Sequence, residues 1–436
     1  MFQINNESKG MCGLIVKEVV MRTFIYHFLR IVGLLFLILN ILNCSASDEI
    51  RVDNSGATSE GVNAVVNANN QFAFDLYSRF KGESKAQNIF FSPYSIMVAL
   101  TMTYEGAREK TAEEMQSVLH IPDDANVRRP NFAKIINEMN KKDKKYKLST
   151  ANALWPQKDY KFLEEYTNTI KRYYGGKVTN LDFIGESEKS RKTINTWIED
   201  HTNNKIKDLI PQGALNACTE LVLTNAIYFK GTWVKQFDKK ETQDEDFRTS
   251  SGQTVKVPMM RSTGDDAKFN YAETDKIQIL EMDYEGEDLS MLILLPKGDK
   301  LGDLEETITP EKLSGWRKML NEQRVDIYIP QFKFETKYFM VETLTEMGMP
   351  TAFNSGANFS GMDGTTSLFI QNVIHQAFVE VNEEGTEAAA ATAVIVGIES
   401  VQIIPVFRAD HPFIFIIQQK DTGNLLFLGR VSEPGK

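Results

Sequence analysis

From Val62 onward the chain runs for about 375 residues without a second linker, a low-complexity tract or an internal repeat. Domains usually hold roughly 50–250 residues, so a single one of this size needs a large continuous sheet or a concealed boundary. The material for a core is present: 42% of the chain is hydrophobic and 25% charged, which is ordinary for a globular fold. Helical patterns dominate the first half. Phe72, Leu76 and Phe80 form a stripe within 69–80. Ser92-Pro93 pairs a capping serine with a first-turn proline. Thr111 to Glu114 has the spacing of a capping box, and helices are also expected over 162–174 and 190–205. The second half reads as strands at 221–229, 291–295, 325–329, 413–418 and 425–431, of which 325–329 alternates strictly and is expected to be half buried. Helices first and mostly antiparallel strands later indicate an α+β fold.

Residues 1–47 have a different character. Met21 to Arg30 carries two arginines and no acid, the apolar run Ile31–Leu39 follows, and Cys44, Ser45, Ala46 and Ser47 are small. Basic head, short apolar middle and small-residue exit predict a secretory signal, with Met21 a better start than Met1. The run is short for a bilayer span, which needs about 20 apolar residues. A signal anchor or lipidation at Cys44 are the alternatives that would bring the chain to a membrane; Asn43 stands where lipidation wants a small residue. Residues 48–61 read as a polar linker before a single domain at 62–436.

The net charge of −10 disfavours nucleic acid as a partner. The only cysteines are Cys12, Cys44 and Cys218. Cys218 alone lies in the region expected to fold, so no internal disulfide is expected there. There is no G-x-G-x-x-G, Walker loop, G-x-S-x-G or H-E-x-x-H, and the five histidines are scattered singly. The expectation is a binder or switch with no cofactor and no metal, not an enzyme.

The segment Glu383-Glu-Gly-Thr-Glu-Ala-Ala-Ala-Ala-Thr-Ala-Val-Ile-Val-Gly-Ile398 carries the strongest signal. Gly385 tolerates hinge conformations. Apart from Glu387, the side chains from Thr386 to Ala393 are small, and β-branched residues follow. As a strand, one face would carry Thr386, Ala388, Ala390, Thr392, Val394, Val396 and Ile398 without a charge. Such a segment can lie exposed and later be buried as a strand; taken alone, it also fits a surface helix or an alanine-rich linker.

Other motifs lie around it. Asn88-Ile-Phe-Phe-Ser-Pro-Tyr-Ser-Ile96, Thr224-Asn225-Ala-Ile-Tyr-Phe-Lys-Gly-Thr-Trp233, His375, Phe407-Arg-Ala-Asp-His-Pro-Phe413 and Asn424-Leu-Leu-Phe-Leu-Gly-Arg430 occur in order. Together with the 383–398 segment they resemble the serpin family, over essentially 62–434. The resemblance implies three β-sheets, eight or nine helices, an exposed reactive loop and a monomer. It implies suicide inhibition of a serine, or a cysteine, protease by loop cleavage, acyl-enzyme trapping and insertion of the loop into the central sheet. The hinge would comprise Glu383, Gly385, Thr386, Glu387, Ala388, Ala389, Ala390 and Ala391. Ser92, Ser95, Asn225 and His375 would form the shutter beneath the sheet, with Trp233 where insertion begins. Family spacing places the scissile bond at Glu399–Ser400, which suits a glutamyl-directed protease; a shift to Ile398 or Val401 would suit elastase- or subtilisin-like enzymes. Gln331 stands where the family often has a basic residue facing Glu383, and Lys333 is the expected substitute. Lys141, Lys142, Lys144, Lys145 and Lys147, with Arg128 and Arg129 upstream, lie near a region that binds sulfated polysaccharide in some serpins, although a charge run is usually a solvated face. Asn358-Phe-Ser360 is a glycosylation sequon.

Overall fold

A computed structural model describes the protein over residues 51–83, 87–141, 144–298, 300–386 and 404–435. The scissile bond expected at Glu399–Ser400, its alternatives at Ile398 and Val401, hinge residues Glu387 to Ala391, Lys142 and the targeting segment with Cys44 lie outside the described residues.

Three sheets organise the chain. The longest is seven-stranded and antiparallel throughout, in the order Ile89–Phe91, Leu425–Val431, Phe413–Gln419, Leu289–Pro296, Ile277–Asp283, Lys268–Glu273 and Asn321–Arg324. Four of its strands, 89–91, 289–296, 413–419 and 425–431, are buried at every position, which explains their mostly apolar sequences. A four-stranded sheet contains Asp326–Pro330, whose alternation is real: Ile327 and Ile329 are buried while Asp326 and Tyr328 are half-buried. The central sheet has six strands. Phe332–Phe339, Asn372–Val381, Leu221–Thr232, Lys147–Pro156 and Lys177–Val178 lie side by side, and the short Gly385–Thr386 pairs with the end of Leu221–Thr232.

The strand Leu221–Thr232 is buried on both faces, with different neighbours on each. Leu221, Leu223, Ile227 and Phe229 join the main core, which also packs against helices Ser59–Glu83 and Pro93–Tyr104. Val222 and Ala226 join a second core with Trp155, Phe183, Ile194 and Ile198, where the helix Phe183–His201 covers the outer face. Each buried Val, Leu, Ile or Phe side chain among them contributes about 1.5–3 kcal/mol by leaving water.

The α+β reading and the three sheets stand. Among the described residues there are ten α-helices, more than the expected eight or nine, because four of them have eight residues or fewer. Three local expectations are corrected. Thr111 and Glu114 do not cap a helix, since the helix begins earlier, at Glu109. Instead Thr111 Oγ1 accepts from the Asn358 amide at 2.9 Å and Glu114 accepts from Thr351 N and Oγ1, so both fasten the 351–358 segment. The helix expected over 190–205 runs Phe183–His201 and stops where Asn203 and Asn204 turn to φ of +52° and +57°. The described part of the expected linker is tied down. Val52 is buried and exchanges two hydrogen bonds with Asn137, Asp53 pairs with Arg172 at 2.6 Å, and Ser59–Gly61 already belong to the first helix.

Candidate functional site

Two central strands, Asn372–Val381 and Leu221–Thr232, run parallel and are paired from Asn372↔Val222 to Phe378↔Tyr228. Beyond Phe378 that pairing ends. The chain leaves Val381, turns through Asn382–Glu384 and comes back antiparallel, so that Gly385 pairs with Thr232 and Thr386 with Gly231. The turn closes on itself: Asn382 N donates to Gly385 O at 2.9 Å and Gly385 N to Asn382 O at 3.2 Å. Gly385 is required here. Its φ is +150°, and a Cβ would sit 2.1 Å from the Gly231 carbonyl oxygen, a clash with backbone that cannot move aside.

Thr386 is fully enclosed, with 1% of its surface exposed. Its hydroxyl shares a 2.8 Å hydrogen bond with Tyr284. Tyr284 stacks on Trp233 (4.4 Å between centroids, 17°) and meets Phe229 edge-on; burial pushes its phenol well above the ordinary range. Trp233 Nε1 donates to Asn382 O, the Trp233 amide to Glu384 O and the Phe237 amide to Glu383 O. Side chains complete the anchorage. Glu383 accepts from Thr242 Oγ1 at 2.6 Å and from Gln331 Nε2 at 2.8 Å, and Glu384 pairs with Lys239. Gln331 therefore makes the contact itself. The expectation for Lys333 is corrected: it pairs with Glu380 at 3.0 Å.

Farther along the same seam a polar row crosses three strands. His375, Asn225 and Asn152 are register neighbours. The Ser92 amide donates to His375 Nε2 at 3.1 Å, so that nitrogen carries no proton. Nδ1 must then hold the proton and donate to Asn225 Oδ1. Asn225 Nδ2 donates to Ser95 Oγ at 2.6 Å and to Asn152 Oδ1, to which Ser95 Oγ also donates. From the buried helix below, Ser92 Oγ accepts from the Ser95 amide and donates to Leu426 O. Burial holds the His375 pKa down to about 3, in keeping with this neutral tautomer. Ser92, Ser95, Asn225 and His375 are thus one cluster, and its central bond joins the two strands that flank Gly385–Thr386.

Residues 67–434 match the family model described as serpin, serine protease inhibitor. The chain belongs to the serpin family. It is 43% identical to human Serpin B3 over 395 residues, covering 86% of this chain and all of that protein. It is 41% identical to leukocyte elastase inhibitor A of Rattus norvegicus, covering 84% of this chain and 98% of the relative. Its fold superposes on uncleaved ovalbumin with a TM-score of 0.77 at 33% identity, covering 85% of this chain and 100% of that one. Serpins are mostly protease inhibitors, and members form complexes with their target proteases.

Part of this serpin's basic run is engaged locally. Lys144 pairs with Asp288 at 2.6 Å and Lys147 donates to Asn203 Oδ1 at 2.7 Å. Lys141 is exposed and Lys145 lies against Gly286. Arg128 and Arg129 turn inward to Glu105, which also accepts from Tyr174. Cys218 is exposed and free. The sequon side chain Asn358 donates to Glu109 at 3.1 Å. Among the described residues no group of acids, histidines and cysteines could hold a metal, and no helix is long and apolar enough to cross a membrane.

Sequence reasoning missed Asn152, Tyr284, Thr242 and Lys239. Asn152 sits on Lys147–Pro156, a strand that was not expected; with it in place, the pairing Asn152↔Asn225 would have pointed to the residue. For the other three no local signal exists, because each reaches the hinge from a distant part of the chain.

Proposed function

We propose that this serpin is a suicide inhibitor that traps its protease by driving the 385–396 segment into the central sheet, between Leu221–Thr232 and Asn372–Val381. What carries this reading is the seating of Gly385 and Thr386, which already occupy the first two positions of that strand. Continuing their register brings Ala388 opposite Phe229, Ala390 opposite Ile227, Thr392 opposite Asn225 and Val394 opposite Leu223, all facing the main core. Ala389, Ala391 and Ala393 come opposite Tyr228, Ala226 and Thr224, under the covering helix. No charged side chain needs to enter either core, so desolvation does not oppose the movement. The His375–Asn225 bond must break, and Thr392 delivers a hydroxyl to that row.

Chemically, the protease serine Oγ attacks the Glu399 carbonyl, the Glu399–Ser400 peptide bond breaks, and the Ser400 amine leaves with the proton that general-base catalysis took from the serine. The ester that remains ties the protease to the loop. Insertion of the ten residues not yet seated, at about 3.3 Å each, would advance the strand by roughly 33 Å, faster than water can hydrolyse the ester if inhibition is to result. Glu399 selects a protease with a basic pocket. A second reading, with Ile398 or Val401 at the cleaved bond, is favoured by the likeness to the rat leukocyte elastase inhibitor. We assign residues 1–47 as a secretory signal, on the basic, apolar and small-residue order of 21–47, so the protease is met outside the cell.

Mixing the protein with a glutamyl endopeptidase, an elastase and trypsin tests the whole reading. The expected result is a covalent band of summed mass with the glutamyl enzyme and a released fragment beginning at Ser400. Cleavage without a covalent band for every enzyme would make this a non-inhibitory serpin, and a band with elastase alone would favour the second reading.

A further inference from the structure

The helix Phe183–His201 ends in a turn, residues 203–208, in which Asn203, Asn204 and Asp208 have φ of +52°, +57° and +47°. This turn touches four consecutive strands of the central sheet. Asn203 accepts from Lys147 Nζ at 2.7 Å and donates to Ser149 Oγ at 3.4 Å, both on Lys147–Pro156. The Lys205 ammonium lies 6.0 Å from the Tyr228 ring centroid on Leu221–Thr232 and 5.5 Å from the Phe378 ring on Asn372–Val381. Lys337, on Phe332–Phe339, donates to the Asp208 carbonyl oxygen at 2.8 Å.

The position of Lys205 matters most. Tyr228↔Phe378 is the last closed rung between the two parting strands. The hinge register places Thr386, Glu387 and Ala388 opposite residues 231, 230 and 229, where the strands are already apart; Ala389 is the first residue whose entry must part Tyr228 from Phe378. A cation shared by both rings attracts them together, and the Lys337–Asp208 bond fastens the outermost strand to the same turn.

We propose that the 203–208 turn is a strap that sets the rate of loop entry, with Lys205 and Lys337 as positioning residues that hold the last closed rung shut. The inference rests on the insertion reading above. It follows that Lys205 and Lys337 tune the competition between insertion and ester hydrolysis, and with it the fraction of cleaved inhibitor that ends in covalent complex.

The test uses the uncleaved full-length protein and a synthetic peptide of residues 386–399, with uptake followed over time by the rise in melting temperature. Wild-type protein should take up the peptide. Lys205→Met and Lys337→Met should do so roughly three- to thirtyfold faster, the range that losing a cation–π or charge-assisted contact implies, while Lys205→Arg, which keeps the cation, should match wild type. Ile416→Val, which loosens the seven-stranded sheet instead, should also match wild type. The Met variants should yield more covalent complex per loop cleaved. If wild type takes up peptide and the Met variants take it up at the same rate, the strap inference is overturned; it is likewise overturned if Ile416→Val accelerates uptake as much as they do. If wild type takes up no peptide, the insertion reading itself falls.

Discussion

The seven-stranded sheet and the central sheet are closed by different chemistry. In the first, Phe413–Gln419 and Leu425–Val431 are buried at every residue, and Phe90 lies stacked between Phe427 (5.1 Å) and Phe415 (5.6 Å). Parting those strands would expose continuous apolar surface. In the second, the seam between Leu221–Thr232 and Asn372–Val381 stops at Phe378, is bridged by His375 and Asn225, and has a glycine and a threonine already at its mouth. A hydrogen bond broken there can be remade with an arriving hydroxyl, whereas lost apolar packing cannot be replaced so directly. On the proposed function, the sheet that must accept a strand is closed by exchangeable polar contacts, and the sheet that must hold is closed by packing.

The contrast breaks most readily at Thr386. Thr386→Arg places a cation where the native hydroxyl meets buried Tyr284, and burying an unpaired charge costs several kcal/mol. Insertion should slow by about a thousandfold, and protease titration should show cleavage with no covalent band. An unchanged band would mean that trapping does not need this side chain seated in the sheet. Next, Ile416→Ala, fully buried in the seven-stranded sheet, should lower stability to urea by about 3 kcal/mol and leave the proportion of covalent complex unaltered.

The polar seam carries a pH signature of its own. His375 is neutral when folded, with its pKa at about 3 against an ordinary 6.5. The unfolded chain therefore takes up a proton that the native one refuses as pH falls below 6.5. Its contribution is fully present above that value and declines toward pH 3. Between pH 7 and 5 the loss is about 2 kcal/mol, and His375→Gln should flatten this part of a stability–pH profile. The smallest effect is expected at the turn beside the hinge. Gln331→Leu leaves Glu383 with Thr242 as its side-chain donor and should cost about 1 kcal/mol, read as a lower melting temperature of the uncleaved form.

The seating of Gly385 and Thr386 was legible in the sequence because its chemistry is local: a glycine and a small residue stand side by side where the chain must turn against a strand. Ser92, Ser95, Asn225 and His375 were legible through motifs, though only the fold shows that one hydrogen-bonded row joins them. Asn152 and Tyr284 were not, since a buried asparagine or tyrosine has no meaning until strand register gives it a neighbour. Thr111 and Glu114 misled because capping-box spacing is satisfied equally by side chains that bond to another segment. Lys333 misled for a related reason. Nearness in sequence to Gln331 says nothing about reach, and Glu380 lies directly opposite it in the ladder.

The central claim is that the sheet takes the loop in as a new strand, and the most direct measurement is thermal melting before and after a single cut in the loop. The account predicts a sharp rise in melting temperature on cleavage, as the 385–396 segment completes the pairing that now stops at Thr386. An unchanged melting temperature after complete cleavage would contradict it.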